Sequence, residues 1–444
     1  MSILPTRRLL WLVFAAAALA VAAGPMPEIT PAWALGLFAV VLVSLGDLCA
    51  SLAAARPEAT EASRITRFAK GRPGAVRVSI ACPPGPPGVV RFALGMPESF
   101  EPAEDCLRVA LPEGAGKAEV DWHCTPLRRG RFFGVLACIE TASRLGLWQL
   151  RTRRFLEAEL RVYPELPLAA RKLLAQAVRH GPAGIRARRL MGRGREFEKL
   201  REYLPGDGFD EIHWKATAKR GRPMTKVFQV ERTQELYVVI DQSRLSGRMV
   251  EAGGAMQTVL EGYLSAALVL MRVAERQGDR FGMVVHDDRV RFFLRAGHSP
   301  AHYAACREAA MTLQPSEHTP DVAEIVRHLC TSLRRRALII FLTDLSDPVL
   351  AEDFARNIGV LSRRHLVCVC QTRPPDVGPL FEGRPVGSDR EIYGRLAGHI
   401  RWRELRAAAQ KLRSLGVTTR TLEHDLLAAG LVDLHAQVKR RQIL

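Results

Sequence analysis

The chain reads as a multi-domain protein: an N-terminal two-helix membrane hairpin, an antiparallel β-sandwich, and a C-terminal α/β domain with a mostly parallel sheet. Three observations predict this. Two apolar runs, Leu9–Ala23 and Ala32–Ala55, stand close together near the start. Short alternating segments broken by Gly and Pro fill residues 64–163. From Glu235 onward, apolar strands alternate with helical stretches. At 444 residues, 48% hydrophobic and 25% charged, the composition is globular and the chain too long for one core. The expected boundaries are 1–56 for the hairpin, 57–165 for the sandwich, 166–234 for a basic linker with a distinctive segment, and 235–444 for the α/β domain.

The first apolar run follows Arg7 and Arg8 and is just long enough to cross a bilayer. Alone it would pass for a signal peptide, with Ala22-Ala23-Gly24 at its end. A second run after a short Pro-rich turn favours a hairpin instead. The loop between the runs carries only Glu28, whereas Arg7 and Arg8 precede the first and Arg56, Arg64, Arg67 and Lys70 follow the second. By the positive-inside rule both termini and the soluble domains face the cytoplasm, with two spans in the inner membrane. Asp47 is a costly residue for a span. Its place in the second half of the run predicts a hydrated carboxylate near the interface.

The sandwich is read from VRVSIAC, VVRFAL, LRVALP, AEVDWHC, FFGVLACIE and LEAELRVYP, short strands at the spacing of an antiparallel fold. The linker opens on a helical pattern at Leu168–Arg179, and Gly181, Pro182, Gly184, Gly192 and Gly194 then break it. In the α/β domain, ELYVVID is an apolar strand ending in an acid, and VLEGYLSAALVLMRVAERQGD is helical up to Gly278. FGMVVHDDRVRFFL reads as two strands around a turn at Asp287-Asp288. DVAEIVRHLCTSLRRR is helical, ALIIFLTDLSD and HLVCVCQT are strands, LRAAAQKLRSLG is helical, and VTTRTLE is a short last strand. Strand–helix alternation predicts a parallel sheet covered on both faces, with ligands beyond the strands' carboxyl ends, where Asp241 and Asp344 fall.

A net charge of +18 needs an acidic counterpart. The basic residues are scattered and no base-reading motif accompanies them, so anionic membrane lipids are expected rather than nucleic acid. Nine cysteines, irregularly spaced, suit a reducing compartment. Cys368 and Cys370 alternate within a strand as buried thiols. There is no phosphate-binding G-x-x-x-x-G-K-[ST], no G-x-S-x-G and no Cys/His pair, which argues against ATP hydrolysis and nucleophilic catalysis. His298 and His302 are interrupted by Pro300 and lack a following Glu, so no zinc motif forms. No small-molecule substrate is evident, and the chain is read as a non-enzyme.

One segment stands apart. Residues Arg195–Gln229, REFEKLREYLPGDGFDEIHWKATAKRGRPMTKVFQ, bring together Glu196, Phe197, Leu200, Arg201, Tyr203, Gly206, Asp207, Ile212, Trp214 and Ala218. This pattern resembles the hallmark of the bacterial domain-of-unknown-function family 58. Arg129-Gly130 and Leu145-Gly146-Leu147-Trp148 are similar to that family's immunoglobulin-like region, with Ala142-Ser143 where Asp-Pro is common. Two hallmark positions depart: Asp210 stands where an Arg is usual, and His213 where an Asp or Asn is common.

The resemblance implies a von Willebrand factor A-like α/β domain in a membrane-anchored adaptor or scaffold. Such proteins are paired with a MoxR-type AAA+ ATPase in complex assembly or maturation. It also gives Asp241-Gln242-Ser243-Arg244-Leu245-Ser246 a meaning, as a degenerate D-x-S-x-S loop of a magnesium-dependent adhesion site. Asp241, Ser243, Thr319 and Asp344 would supply hard oxygen ligands. Leu245 cannot ligate, and Ser246 would substitute only if the loop bulges. The plainer reading makes Asp241 and Ser243 caps of the following helix. Arg201, Asp207, Trp214 and Lys215, with Lys219, Arg220 and Arg222, form either a docking face for an acidic partner or a structural cover. Two rivals stand beside the adaptor: a metal-free scaffold for envelope biogenesis, and a metal-dependent hydrolase at the same strand ends.

Overall fold

The computed structural model describes residues 2–23, 30–83, 88–112, 114, 116–165, 191–204, 208–209, 212–229, 234–252, 254–374, 377–381 and 388–441. The expected helix at Leu168–Arg179 lies outside them, as do Asp207 and Asp210. Two units form, Met1–Glu165 and Leu166–Leu444.

The first unit starts with a strand that the sequence did not announce, β1 (Ser2–Pro5), followed by α1 (Arg7–Ala23) and α2 (Thr30–Ala53). At a rise of about 1.5 Å per residue, α1 is roughly 25 Å long and α2 roughly 36 Å, against a hydrocarbon core of about 30 Å. One helix among the described residues, over Trp33–Ala53, is long and apolar enough to cross a membrane. Leu10, Trp11, Phe14, Leu35, Phe38 and Leu42 are exposed on these helices, an all-round apolar surface that suits lipid and not water. The Trp33 indole N–H donates to the Ala16 carbonyl at 3.1 Å, holding the helices side by side.

Then come β2 (Glu58–Ala62), β3 (Ile65–Ala69), β4 (Gly74–Cys82), β5 (Val89–Gly95), β6 (Phe100–Pro102), β7 (Leu107–Ala110), β8 (Gly116–Pro126), β9 (Gly130–Ala142) and β10 (Trp148–Tyr163). All six segments read as strands are strands. One sheet runs β1-β10-β9-β5-β7 with β3 parallel to β10, and the other runs β2-β4-β8-β6. Alternate side chains of both enter one core, including Val76, Val78 and Ile80 of β4, Val120 and Trp122 of β8, and Phe92, Ile139 and Leu160 of the other sheet. Phe92 and Trp122 meet edge to face at 5.8 Å.

Asp47 corrects the expectation of a hydrated carboxylate. It is 5% exposed and accepts from Ser143 Oγ at 2.5 Å and from the Leu145 amide at 2.9 Å, in the turn between β9 and β10. The Trp148 indole donates to the Ser44 carbonyl at 2.9 Å, and the Arg144 amide donates to Ser51 Oγ at 3.2 Å. On the other side of the same turn, Thr6 Oγ1 donates to the carbonyls of Gly146 and Leu147. Gly146 takes a φ of 71°, a left-handed turn that a Cβ would strain. The turn is thus clasped by residues before α1 and by the end of α2.

The second unit begins with a separate hairpin, β11 (Met191–Glu202) and β12 (Met224–Gln229), paired antiparallel around a short helix α3 (Trp214–Arg220). The main sheet consists of β13 (Glu235–Asp241), β16 (Arg280–His286), β17 (Val290–Gly297), β18 (Leu338–Leu342), β19 (Leu366–Thr372) and β20 (Thr418–Leu422), in the order β17-β16-β13-β18-β19-β20. Every pair is parallel except β16 with β17, which is joined through the turn at Asp287-Asp288. A small hairpin, β14 (Met249–Ala252) with β15 (Ala255–Thr258), follows β13. The helices are α4 (Val259–Arg276), α5 (Pro300–Thr312), α6 (Val322–Ser332), α7 (Pro348–Ser362), α8 (Asp389–Ser414) and α9 (Leu427–Arg441).

Period-two alternation along β13 sorts the helices into two layers. Leu236, Val238 and Ile240 face a core shared with α4, α5 and α9, while Tyr237 and Val239 face one shared with α6, α7 and α8. This is a doubly wound sheet whose order reverses at β13. At the amino ends of the strands, Asp279 is 2% exposed in its side chain and bonds Lys439 Nζ at 2.7 Å and His435 Nε2 at 3.1 Å, fastening α9.

Two outcomes follow. Asp47→Ala should leave the β9–β10 turn without its acceptor, a loss of about 1.5–3 kcal/mol for bonds to a charged group, or roughly tenfold to a hundredfold more local opening. Tryptic cleavage at Arg144 in the detergent-solubilised chain should quicken by that factor, and an unchanged rate would contradict the clasp. Burial alone would raise the Asp279 pKa, but the bonds from His435 and Lys439 hold it below 3.8. Its contribution is therefore full above the unfolded carboxylate range and fades as pH falls through the lowered value. Asp279→Asn should cost about 1.5–3 kcal/mol at pH 7 and less at pH 3, read from urea midpoints at the two pH values.

Candidate functional site

The order reversal places β13 between β16 and β18, so the loops leaving β13 and β18 diverge and open a crevice at their carboxyl ends. Asp241 ends β13 and is 1% exposed. Its Oδ1 accepts from the Ser243 amide at 2.8 Å, and its Oδ2 accepts from Thr343 Oγ1 at 2.7 Å. The first bond turns the chain sharply out of the strand; the second ties it to the residue after β18. Ser243 is fully buried, precedes a short 3-10 turn (Arg244–Gly247), and its hydroxyl has no hydrogen-bond partner among the described residues. Ser246 does not bulge toward the crevice: its Oγ donates to the Ser243 carbonyl at 2.8 Å.

Asp344 is 4% exposed and already has a cation. Arg248, seven residues after Asp241, places Nη1 at 2.7 Å from its Oδ2, while the Ser346 amide and hydroxyl both donate to Oδ1. Tyr263 of α4 is fully buried close by, and burial first, then the charges of Asp344 and Asp241, raise its hydroxyl pKa well above 10. Burial also pushes the pKa of the nearby His424 imidazole down.

Of the four expected metal ligands, the sheet therefore brings Asp241, Ser243 and Asp344 to one end. Thr319 belongs to the loop before α6, which lies along β13's exit through the bonds Ser316 N to Gln242 O (2.7 Å) and Arg244 N to His318 O (3.0 Å). Its own side chain is exposed. Thr343 and Arg248 were not anticipated; Thr343 could have been noticed as the residue before the strand-end acid, but no spacing rule marks Arg248.

These residues do not fit a magnesium ion as they stand. Both oxygens of Asp241 and both of Asp344 already accept hydrogen bonds or an ion pair, and Leu245 fills a ligand position. Magnesium keeps several waters in an octahedral shell. The cavity beside Thr343 and Asp344 measures about 10 Å³, room for roughly one water, and is lined mainly by Val322, Ile325, Phe341, Leu345 and Phe354.

A second group of acids lies in the β16–β17 turn. Asp287, Asp288 and His318 approach one another within 4.8 Å. Arg291 closes this group, with Nε at 2.7 Å from Asp287 and Nη2 at 2.9 Å from Asp288. Burial would raise the Asp287 pKa, yet Arg291 and the surrounding donors hold it well below the carboxylate range.

The hallmark hairpin carries the other expected contacts. Trp214 is 67% exposed at the first position of α3, and Lys215, Lys219, Arg220 and Arg222 are exposed beside it. Phe209 is 76% exposed. Arg201 is half-buried in β11 and its Nη1 donates to the Glu202 carbonyl at 3.3 Å. Asp207 lies outside the described residues. His213 is the N-cap of α3, its Nδ1 accepting from the Ala216 amide at 3.1 Å. Asp and Asn are favoured caps, so the imidazole does the work expected of the usual residue.

Residues 199–381 match the family model described as "Protein of unknown function DUF58". No curated protein sequence matches the chain. Among solved structures, BatB from Bacteroides thetaiotaomicron is similar at 16% identity, covering 46% of this chain and 99% of that one, with a TM-score of 0.31. An aerotolerance-related membrane protein from Bacteroides fragilis is similar at 15% identity, covering 47% and 99%, with a TM-score of 0.30. The von Willebrand factor domain of the type V pili tip protein Mfa5 from Porphyromonas gingivalis is similar at 13% identity, covering 47% and 96%, with a TM-score of 0.26. Scores this low add nothing to the sheet order described above.

Asp241→Ala removes a buried acceptor shared by Thr343 and Ser243 and should cost about 2–3 kcal/mol, whereas Asp241→Asn keeps an acceptor and should cost about 1. Hydrogen exchange of the β13 amides in urea would separate the two; equal losses would mean that the Thr343 bond is not the anchor.

Proposed function

We propose that this chain, which belongs to the DUF58 family over residues 199–381, is a membrane-associated adaptor or scaffold and not an enzyme. Its von Willebrand factor A-like sheet would present the Asp241–Asp344 crevice to a partner. The observation that carries this reading is the crevice itself: buried oxygen donors gathered where a doubly wound sheet reverses, beside a cavity too small for a substrate. The partner suggested by the family resemblance is a MoxR-type AAA+ ATPase acting in complex assembly or maturation. The contact would be cation-assisted, and magnesium could serve only if Arg248 left Asp344.

The helices are read as a two-span hairpin in the inner membrane under an immunoglobulin-like sandwich. Support comes from their ends. β1 before α1 and β2 after α2 both join the sheets of one unit, so the chain between them must return to the side it left. This supports an even number of crossings. By the positive-inside rule, Arg7, Arg8, Arg56, Arg64, Arg67 and Lys70 favour the cytoplasm for that side. The docking of Ser44, Asp47 and Ser51 puts the last turns of α2 at headgroup depth, where Trp148 suits an interface. Exposed Trp214, Phe209 and Lys215 form a further face for anionic headgroups or an acidic partner.

Co-purification of the tagged full-length chain from native membranes tests the reading, with wild type and Asp241→Asn compared in magnesium and in chelator. An AAA+ ATPase identified with wild type and depleted about tenfold or more with the variant is the expected result. No ATPase in any sample would leave a scaffold for envelope biogenesis as the better description.

A further inference from the structure

We propose that the cation of the strand-end site is Arg248, a guanidinium carried by the loop itself, so that this site works without a divalent metal. The inference rests on reading the crevice as the contact site and names the charge that makes it functional.

A buried carboxylate needs a positive partner, because water is not there to solvate it. Asp344 is 4% exposed, and its Oδ2 receives Arg248 Nη1 at 2.7 Å. The same oxygen would be the one offered to an ion, since Oδ1 is occupied by the Ser346 amide and hydroxyl. A guanidinium and a divalent ion cannot share it: they repel, and the adjoining cavity has room for about one water. Arg248 is also well placed to stay. It follows the 3-10 turn that Asp241 starts, its carbonyl accepts from the Val259 amide at 2.9 Å at the head of α4, and its side chain is 31% exposed. An arginine keeps its charge at any physiological pH, whereas magnesium occupancy varies with concentration.

The remaining features fit one explanation. Leu245 removes one hydroxyl of the usual set and Ser246 turns its own to the Ser243 carbonyl, which weakens a metal here without forbidding one once Arg248 is gone. Thr343, which could face an ion, instead donates to Asp241. Among the described residues Nε and Nη2 of Arg248 make no hydrogen bond, leaving two guanidinium N–H groups unpaired beside the crevice. Unpaired N–H groups suit an anion and repel a metal.

The test is Mn2+ binding to the purified full-length chain in detergent, by electron paramagnetic resonance of free ion, with no partner present. Wild type should bind no stoichiometric Mn2+ and should melt at the same temperature with and without chelator. Arg248→Ala, and Arg248→Gln as a variant that keeps a hydrogen bond to Asp344, should gain one site per chain, at least about tenfold tighter than wild type. Adding Asp344→Asn should abolish that gain. A stoichiometric wild-type site lost in Asp344→Asn would overturn the proposal, as would folded Arg248 variants that gain no site. Neither failure touches the adaptor reading, which is decided by capture of the ATPase; wild-type capture that survives chelator is expected if both hold.

Discussion

A carboxylate taken out of water must be met by donors, and in this chain that requirement falls at the joins. Asp47 ties the end of α2 to the β9–β10 turn, Asp279 fastens the last helix beneath the sheet, and Asp241 links the exit of β13 to the residue after β18. Asp287 and Asp344 are each closed by an arginine from a neighbouring stretch. The apolar layers supply most of the burial, as in any doubly wound sheet, but they are indifferent to which loop lies where. The acids are not. Each accepts a bond whose geometry fixes one segment against another, and removing one partner leaves the other stranded.

Much of the architecture was legible because it rests on periodicity. ELYVVID, ALIIFLTD and HLVCVCQT could be nothing but strands of a covered sheet, and the six alternating segments before Pro164 formed as read. α5, α7 and α9 were missed because their apolar stripes are diluted by alanine and by charges near their ends. β1 was missed for another reason: SILP has no pattern of its own and becomes a strand only because β10 offers it an edge.

The site was half legible. Asp241 and Asp344 could be found because strand-end acids follow from the fold class, and Ser243 from the resemblance to a D-x-S-x-S loop. Arg248 could not, since its role depends on a loop path and a distance, neither of which a sequence states. Asp47 was visible but misjudged: its cost inside an apolar run was recognised, while the turn of residues 143–148 that repays it lies far along the chain. The departure at His213 proved conservative in function, because the imidazole caps α3 as the usual residue would.

The strand before the first helix has a consequence in time. Ser2 pairs with Arg151 and Pro5 with Trp148, so β1 must wait at the ribosome until the rest of the sheet has been made. Throughout that interval α1 and α2 are already outside the exit tunnel and apolar. The sheet therefore closes only after both apolar helices have been made. A chain whose first five residues were deleted would lose the edge strand that holds the start of α1 against β10.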